Sequence, residues 1–174
     1  MELYKLGIKF FAAHGHRVDL SELIPIFHEW IQKQVINDHL LIDVHNYSHI
    51  HEGPGILLVA HQGNFSVDLA GDRMGFVYYR KQPVRSIADI LKPAVQGCHI
   101  LSGDPRMHNR LNFSTDEVVI FSNDRLLAPN NEEVFSQLQL QFSAALKEVV
   151  GKSFKLCRIN DDPKERLTIS AQPM

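Results

Sequence analysis

The residues from Ile56 to Ala60 form an unbroken apolar run between a Gly53-Pro54-Gly55 turn and the polar stretch Gln62 to Asp68. Five consecutive apolar positions suit a strand buried on both faces. Such a strand needs neighbours on either side and a cover of other elements, so the chain must build a layered sheet. Met74 to Lys81 reads as a further strand, with Met74, Phe76 and Tyr78 set against Val77 and Tyr79. The spacing pairs these two strands antiparallel through a loop over 62–73, whose far end, Gly71-Asp72, supplies turn chemistry.

Tyr4, Leu6, Ile8 and Phe10 alternate with Lys5, Gly7 and Lys9, the pattern of a half-buried strand. Asp19 and Glu22 then fit a capping box, followed by a helical stripe through Leu20, Leu23, Ile24, Phe27, Trp30, Ile31 and Val35. Pro25 falls early enough to tighten that helix rather than break it. Leu40 to His45 is the next strand. Ser86 to Val95 suits a short helix weakened by Pro93, and 97–115 shows no period and reads as a long loop. Glu117 to Ser122 is a strand, with Arg125 to Ala128 as a brief partner. Asn130 and Asn131 cap a strong helix carrying Val134, Leu138, Phe142, Ala145, Leu146 and Val149, and Gly151 stops it. Phe154–Ile159 and Arg166–Ser170 close the chain as a hairpin around Asp161-Asp162-Pro163. The expected fold is α+β: a single domain over 1–174, with a mixed, mostly antiparallel sheet of about seven strands packed by three helices. A long helix follows the first strand and another follows the Val118 strand, which suggests two related halves.

A chain of 174 residues is long enough to bury a core as one domain. A net charge of -2 argues against a nucleic-acid binder, which needs a basic face. No apolar run approaches the roughly 18 residues of a membrane span. Met1 to Lys5 shows neither the basic start nor the apolar run of a secretion signal. Cys98 and Cys157 lie far apart and make no CxxC, so both are expected as free thiols in the cytoplasm, with Cys157 a small buried hydrophobe.

Ten histidines make the chain histidine-rich, and those at 43–68 are the first place to look for chemistry. His49 and His51 stand two apart, as do His14 and His16, and Asp43 shares a strand face with His45. A metal would draw on His45, His49 and His51 with a nearby carboxylate, but neither HExxH nor CxxC accompanies them. His61, Ser66 and Asp68 invite a hydrolytic reading, yet Ser66 lacks a G-x-S-x-G elbow. Arg73, Arg80, Lys81 and Arg85 flank the Tyr78-Tyr79 strand and could meet an acidic ligand. The candidate ligand residues are His49, His61, Asn64, Ser66, Asp68 and Arg80. No cofactor is assignable.

Asp43-Val44 with Tyr47 and His49, then Glu52-Gly53-Pro54-Gly55, then His61 with Asn64, Ser66 and Asp68, then Tyr79-Arg80-Lys81, resemble a pattern in a family of bacterial proteins with no established activity. The Asp19 to Gln32 helix is similar to theirs as well. The resemblance covers the N-terminal half and departs at Gln62-Gly63 and Phe65, where the pattern implies an acidic residue, alanine and tyrosine. It implies neither a catalytic role nor a cofactor.

With no assembled constellation in view, the sequence points to a cytoplasmic binding or interaction protein that self-associates as a homodimer, with a small molecule as its other partner. Val77, Tyr79, Phe121 and Ile159 are the expected apolar contact surface. The alternative is a metal-dependent or hydrolytic enzyme built on His45, His49, His61 and Asp68.

Overall fold

The computed structural model describes residue 3 and residues 5–174. Eight strands form one sheet: β1 (Leu6–Ala12), β2 (Leu41–Tyr47), β3 (Gly55–Ala60), β4 (Gly63–Asp68), β5 (Gly75–Arg80), β6 (Phe113–Ser122), β7 (Phe154–Arg158) and β8 (Thr168–Pro173). Their order is β2-β3-β4-β5-β1-β6-β8-β7, and every neighbouring pair is antiparallel. Three α-helices complete the fold: α1 (Leu23–Lys33), α2 (Ala88–Gly103) and α3 (Glu132–Val150). The fold is therefore α+β, with one strand more than the sequence suggested.

The extra strand is β4. Its residues had read as a polar loop, yet Phe65 and Val67 alternate with Asn64, Ser66 and Asp68, the period of a strand with one wet face. β3 pairs with β4, and β4 in turn with β5, so the 56–61 and 74–81 strands are not direct neighbours. Gly55 makes the entry to β3 possible. Its φ is +67°, and a Cβ there would lie 2.1 Å from the Val67 carbonyl oxygen.

Asp19 caps the turn before α1 with a full capping box, as its sequence spacing predicts. α1 ends when Gln34 turns left-handed, φ 47°. α2 runs eight residues past Val95 despite Pro93, because Gly97 and Leu101 beyond it are buried. The expected loop is thereby reduced to 104–112. No strand forms at Arg125 to Ala128, where Asp124 accepts from the amides of Leu126 and Leu127 in a turn. Asn131 and Gly151 bound α3 as expected. Tyr4, assigned to the first strand from its alternation, lies outside the described residues.

Helices cover one face of the sheet. α1 packs on β2 and β3, α2 on β5 and β1, and α3 on β7 and α2. The register brings Leu58, Phe65, Tyr78, Ile8 and Ile120 side by side across five strands on that face, all within one buried cluster. Phe27, Trp30, Leu138 and Phe142 complete the core from the helical side. The residues between them point to the other face, where no helix lies.

Candidate functional site

The uncovered face is read along its rows. Leu57, Ser66, Val77, Lys9, Val119 and Ser170 are cross-strand partners in one row, and Asn64, Tyr79, Gly7, Phe121 and Thr168 in the next. Between these rows and the 52–54 turn lies a cleft of about 360 Å³. Leu57, Val77, Val119 and Phe121 give it an apolar floor. Asn64, Ser66 and Asp68 line one wall, and Asn123 and Arg166 stand across from them.

Two glycines let neighbouring side chains lie flat on this face. At Gly75 a Cβ would fall 2.4 Å from the Lys9 side chain. Lys9 crosses that gap to place its Nζ 2.6 Å from Asp68 Oδ1 and 2.9 Å from the Arg73 carbonyl. The two side chains are only 10% and 13% exposed, so this is a largely desolvated ion pair. Burial raises the Asp68 carboxyl above the ordinary carboxylate range, and the Lys9 ammonium opposes that rise without cancelling it. At Gly7 a Cβ would strike the Phe121 ring at 2.2 Å. Phe121 therefore lies across Gly7 towards Tyr79, the rings nearly parallel at 10° with centroids 6.4 Å apart. The Arg166 guanidinium sits 4.1 Å above the Phe121 ring and donates to Asn123 Oδ1.

Of the candidate ligand residues, the structure brings Asn64, Ser66 and Asp68 into this cleft. It does not bring His61, His49 or Arg80 with them. His61 lies in the turn before β4 and Asp68 at its other end, roughly 16 Å away at about 3.3 Å per residue. A shared His61–Asp68 site is incompatible with that separation. His49 is exposed on the turn after β2, beside a different hollow that includes Glu52 and Asp72. Arg80 belongs to the helical side of the sheet. His45 approaches Asp43, with Nε2 3.4 Å from Oδ2, but both are exposed on the edge strand. His51 is exposed beside Glu52. Among the described residues no three histidines, cysteines or carboxylates gather in a way that could hold a metal ion. Cys157 is exposed rather than buried, because Leu156 takes the inward position on β7 and turns its neighbour outward. Cys98 is half-buried on α2, and desolvation pushes its thiol well up.

Lys9, Tyr79, Phe121 and Arg166 are the cleft residues that sequence reasoning missed. One signal was available. Gly7 lies inside β1 and Gly75 opens β5, and a glycine in a strand marks close approach of another group.

On the helical side a second polar group is buried. His39 Nδ1 lies 2.8 Å from the Asn37 carbonyl, and its Nε2 2.7 Å from the Tyr78 hydroxyl. A carbonyl only accepts, so Nδ1 carries the proton and Nε2 accepts from Tyr78. Burial lowers the His39 pKa, with the nearby Arg80 charge adding to the effect, and raises that of Tyr78. Both groups are held in their neutral forms.

Compared with protein-family models, curated proteins and solved structures, the chain matches none of them. No helix among the described residues is long and apolar enough to cross a membrane.

Proposed function

We propose that this protein binds a small organic acid with a flat apolar body in the cleft on its uncovered sheet face. The observation that carries this reading is Ser66. It is only 6% exposed, it lines the cleft, and its hydroxyl bonds no other described residue. A hydroxyl without a protein partner, reachable from the cleft and set beside an apolar floor, suits a ligand that brings its own polar edge. Arg166 supports the acidic half of the reading. Its guanidinium carries five donors, and among the described residues it donates to Asn123 alone. A carboxylate would take the others in a planar fork. Lys9 and Asp68 neutralise one another, and Glu52, the other carboxylate bordering the cleft, accepts from the Gly71 amide, so Arg166 holds the unspent donors.

Titration of ¹⁵N-labelled protein with benzoate, and with uncharged benzamide, tests this. Benzoate should shift the amides of 64–68, 77–79 and 119–121 saturably. Ser66→Val and Arg166→Gln should each weaken it about five-fold or more, within the range of one lost charge-assisted bond. Benzoate that leaves these amides unmoved at millimolar concentration, or binds no better than benzamide, overturns the reading.

Self-association is the second part of the proposal, and its support lies at the sheet edge. Val77 and Phe121, expected as contact surface, are already buried within their own chain. Leu40 and Ile42 are instead 56% and 52% exposed at edge strand β2, whose outer backbone groups have no partner strand among the described residues. The other edge, β7, carries Lys155 and Arg158, charges that discourage pairing. A second copy adding its β2 antiparallel would pair both backbones and cover these side chains. Light scattering should report a dimer at micromolar concentration that Ile42→Lys converts to monomer. A wild-type monomer refutes it.

A further inference from the structure

The helical side of the sheet carries a second cavity, of about 450 Å³, between the 37–39 segment, the end of β5 and the first turns of α2. Alternation along β5 turns Tyr79 to the ligand cleft and Arg80 to this cavity, so the two sites lie on opposite faces. We infer that this cavity is a separate oxyanion site, in which Arg80 and Lys92 take the carboxylate or phosphate group of a ligand.

Arg80 carries the argument. Its Nε is buried and has no hydrogen-bond partner. Its one side-chain hydrogen bond among the described residues is a long one, Nη1 to the Tyr78 hydroxyl oxygen at 3.4 Å. No carboxylate among the described residues comes within salt-bridge distance of it, although most arginines in this protein have one. Arg73 has Glu117, Arg106 has Asp104 and Glu29, and Arg110 has Glu22. A planar donor fork with a desolvated, unused N–H is the geometry that accepts a bidentate oxyanion.

The surroundings fix that fork. Tyr78 spends its proton on His39, so its oxygen faces Arg80 as an acceptor, and His39 is pinned in turn by the Asn37 carbonyl. Gln96 holds the same segment, accepting from the Asn37 amide and donating to the Val35 carbonyl. Lys92 projects from α2 at the cavity rim, and it too has no acidic partner among the described residues. Two carboxylates also border the space. Asp89 is engaged, with Oδ2 accepting from the amides of Arg85 and Ser86. Asp38 lies at the exposed mouth. They disfavour a diffuse anion cloud and leave the paired donors of Arg80 as the specific attraction.

Titrating inorganic phosphate, and separately acetate, into the ¹⁵N-labelled full chain at constant ionic strength tests the site. At least one anion should shift the Arg80 Nε–H resonance and the amides of 37–39 and 88–92 saturably, and the tighter one identifies the ligand group. Lys92→Ala lies on an exposed helix face and should fold normally, yet weaken binding about three-fold or more. Arg80→Lys keeps the charge but loses the fork, and should weaken it about ten-fold, as loss of a bidentate contact does. Lys81→Ala, outside the cavity, should bind as wild type. An Arg80 Nε–H unmoved by both anions, or equal affinity in all four proteins, overturns the proposal.

Discussion

Asp68 shows how a single residue can be costly and necessary at once. Desolvation raises its pKa, and Lys9 offsets only part of that, so the ion pair is a weak source of net stability. Removing one member is a different matter. Asp68→Asn would leave the Lys9 ammonium buried with the Arg73 carbonyl as its remaining acceptor. Urea melts should show a loss of about 3 kcal/mol for the single variant, the usual cost of an uncompensated buried charge. Lys9→Met combined with Asp68→Asn should recover most of it. A double variant no more stable than Asp68→Asn would mean that Lys9 is not desolvated as described. His39 gives a second expectation at this scale. Its imidazole is neutral in the fold, whereas in the unfolded chain it takes up a proton near its ordinary pKa of 6.5. Between the depressed folded pKa and 6.5 the unfolded chain binds more protons. The stability that neutral His39 contributes is therefore complete above about pH 6.5 and drains away as the pH falls towards its folded value. His39→Gln should cost about 1–2 kcal/mol at neutral pH, because the Tyr78 hydroxyl loses its acceptor. It should also flatten the decline below about pH 6.5 relative to wild type. Parallel stability curves would show that another group sets the slope.

At the scale of elements, α3 provides the plainest test of the core. Phe142 is fully buried on the stripe that also buries Leu138 and Leu146. Phe142→Ala should cost about 3–5 kcal/mol, and a loss below about 1 kcal/mol in denaturant melts would show this face not to be core. The helices were legible because their signals are local: Asp19 with Glu22, Asn131 and Gly151 mark ends within a turn of the residues they cap. β4 was not, although Phe65 and Val67 carried the right period. Asn64, Ser66 and Asp68 have low strand propensity, and what makes them a strand is hydrogen bonding to β3 and β5 on either side. α2 was cut short because Pro93 argued locally for a stop, while burial of Ala94, Gly97 and Leu101 carried the helix onward. The site followed the same division. Asn64, Ser66 and Asp68 were found as a cluster because they are neighbours in sequence. Lys9, Tyr79, Phe121 and Arg166 join them through pairings between distant strands, which no local pattern encodes.

At the scale of the molecule, each half of the chain opens on a strand and a helix and then folds back, with four returning strands in the first half and two in the second. β1 leads to α1, and the strands that follow meander back until β5 pairs with β1. β6 leads to α3, and β7 and β8 return until β8 pairs with β6. The halves meet where β1 pairs with β6, with register from Leu6↔Ser122 to Phe10↔Val118. Their likeness does not make them independent. α2 follows the first half in sequence but packs on β5 and β1, and it touches α3 as well. The cleft is shared too, since Ser66, Asp68 and Tyr79 come from one half and Val119, Phe121 and Arg166 from the other. Separately expressed residues 1–85 would expose Ile8, Phe10 and Phe76, which α2 covers in the whole chain. Residues 86–174 would leave β6 as an open apolar edge. Neither piece should fold alone: each should give a collapsed amide spectrum and no cooperative melt. An equimolar mixture should regain dispersion and a single transition, as expected of one cooperative domain. A cooperative melt from either piece by itself would show instead that the β1–β6 seam joins two domains.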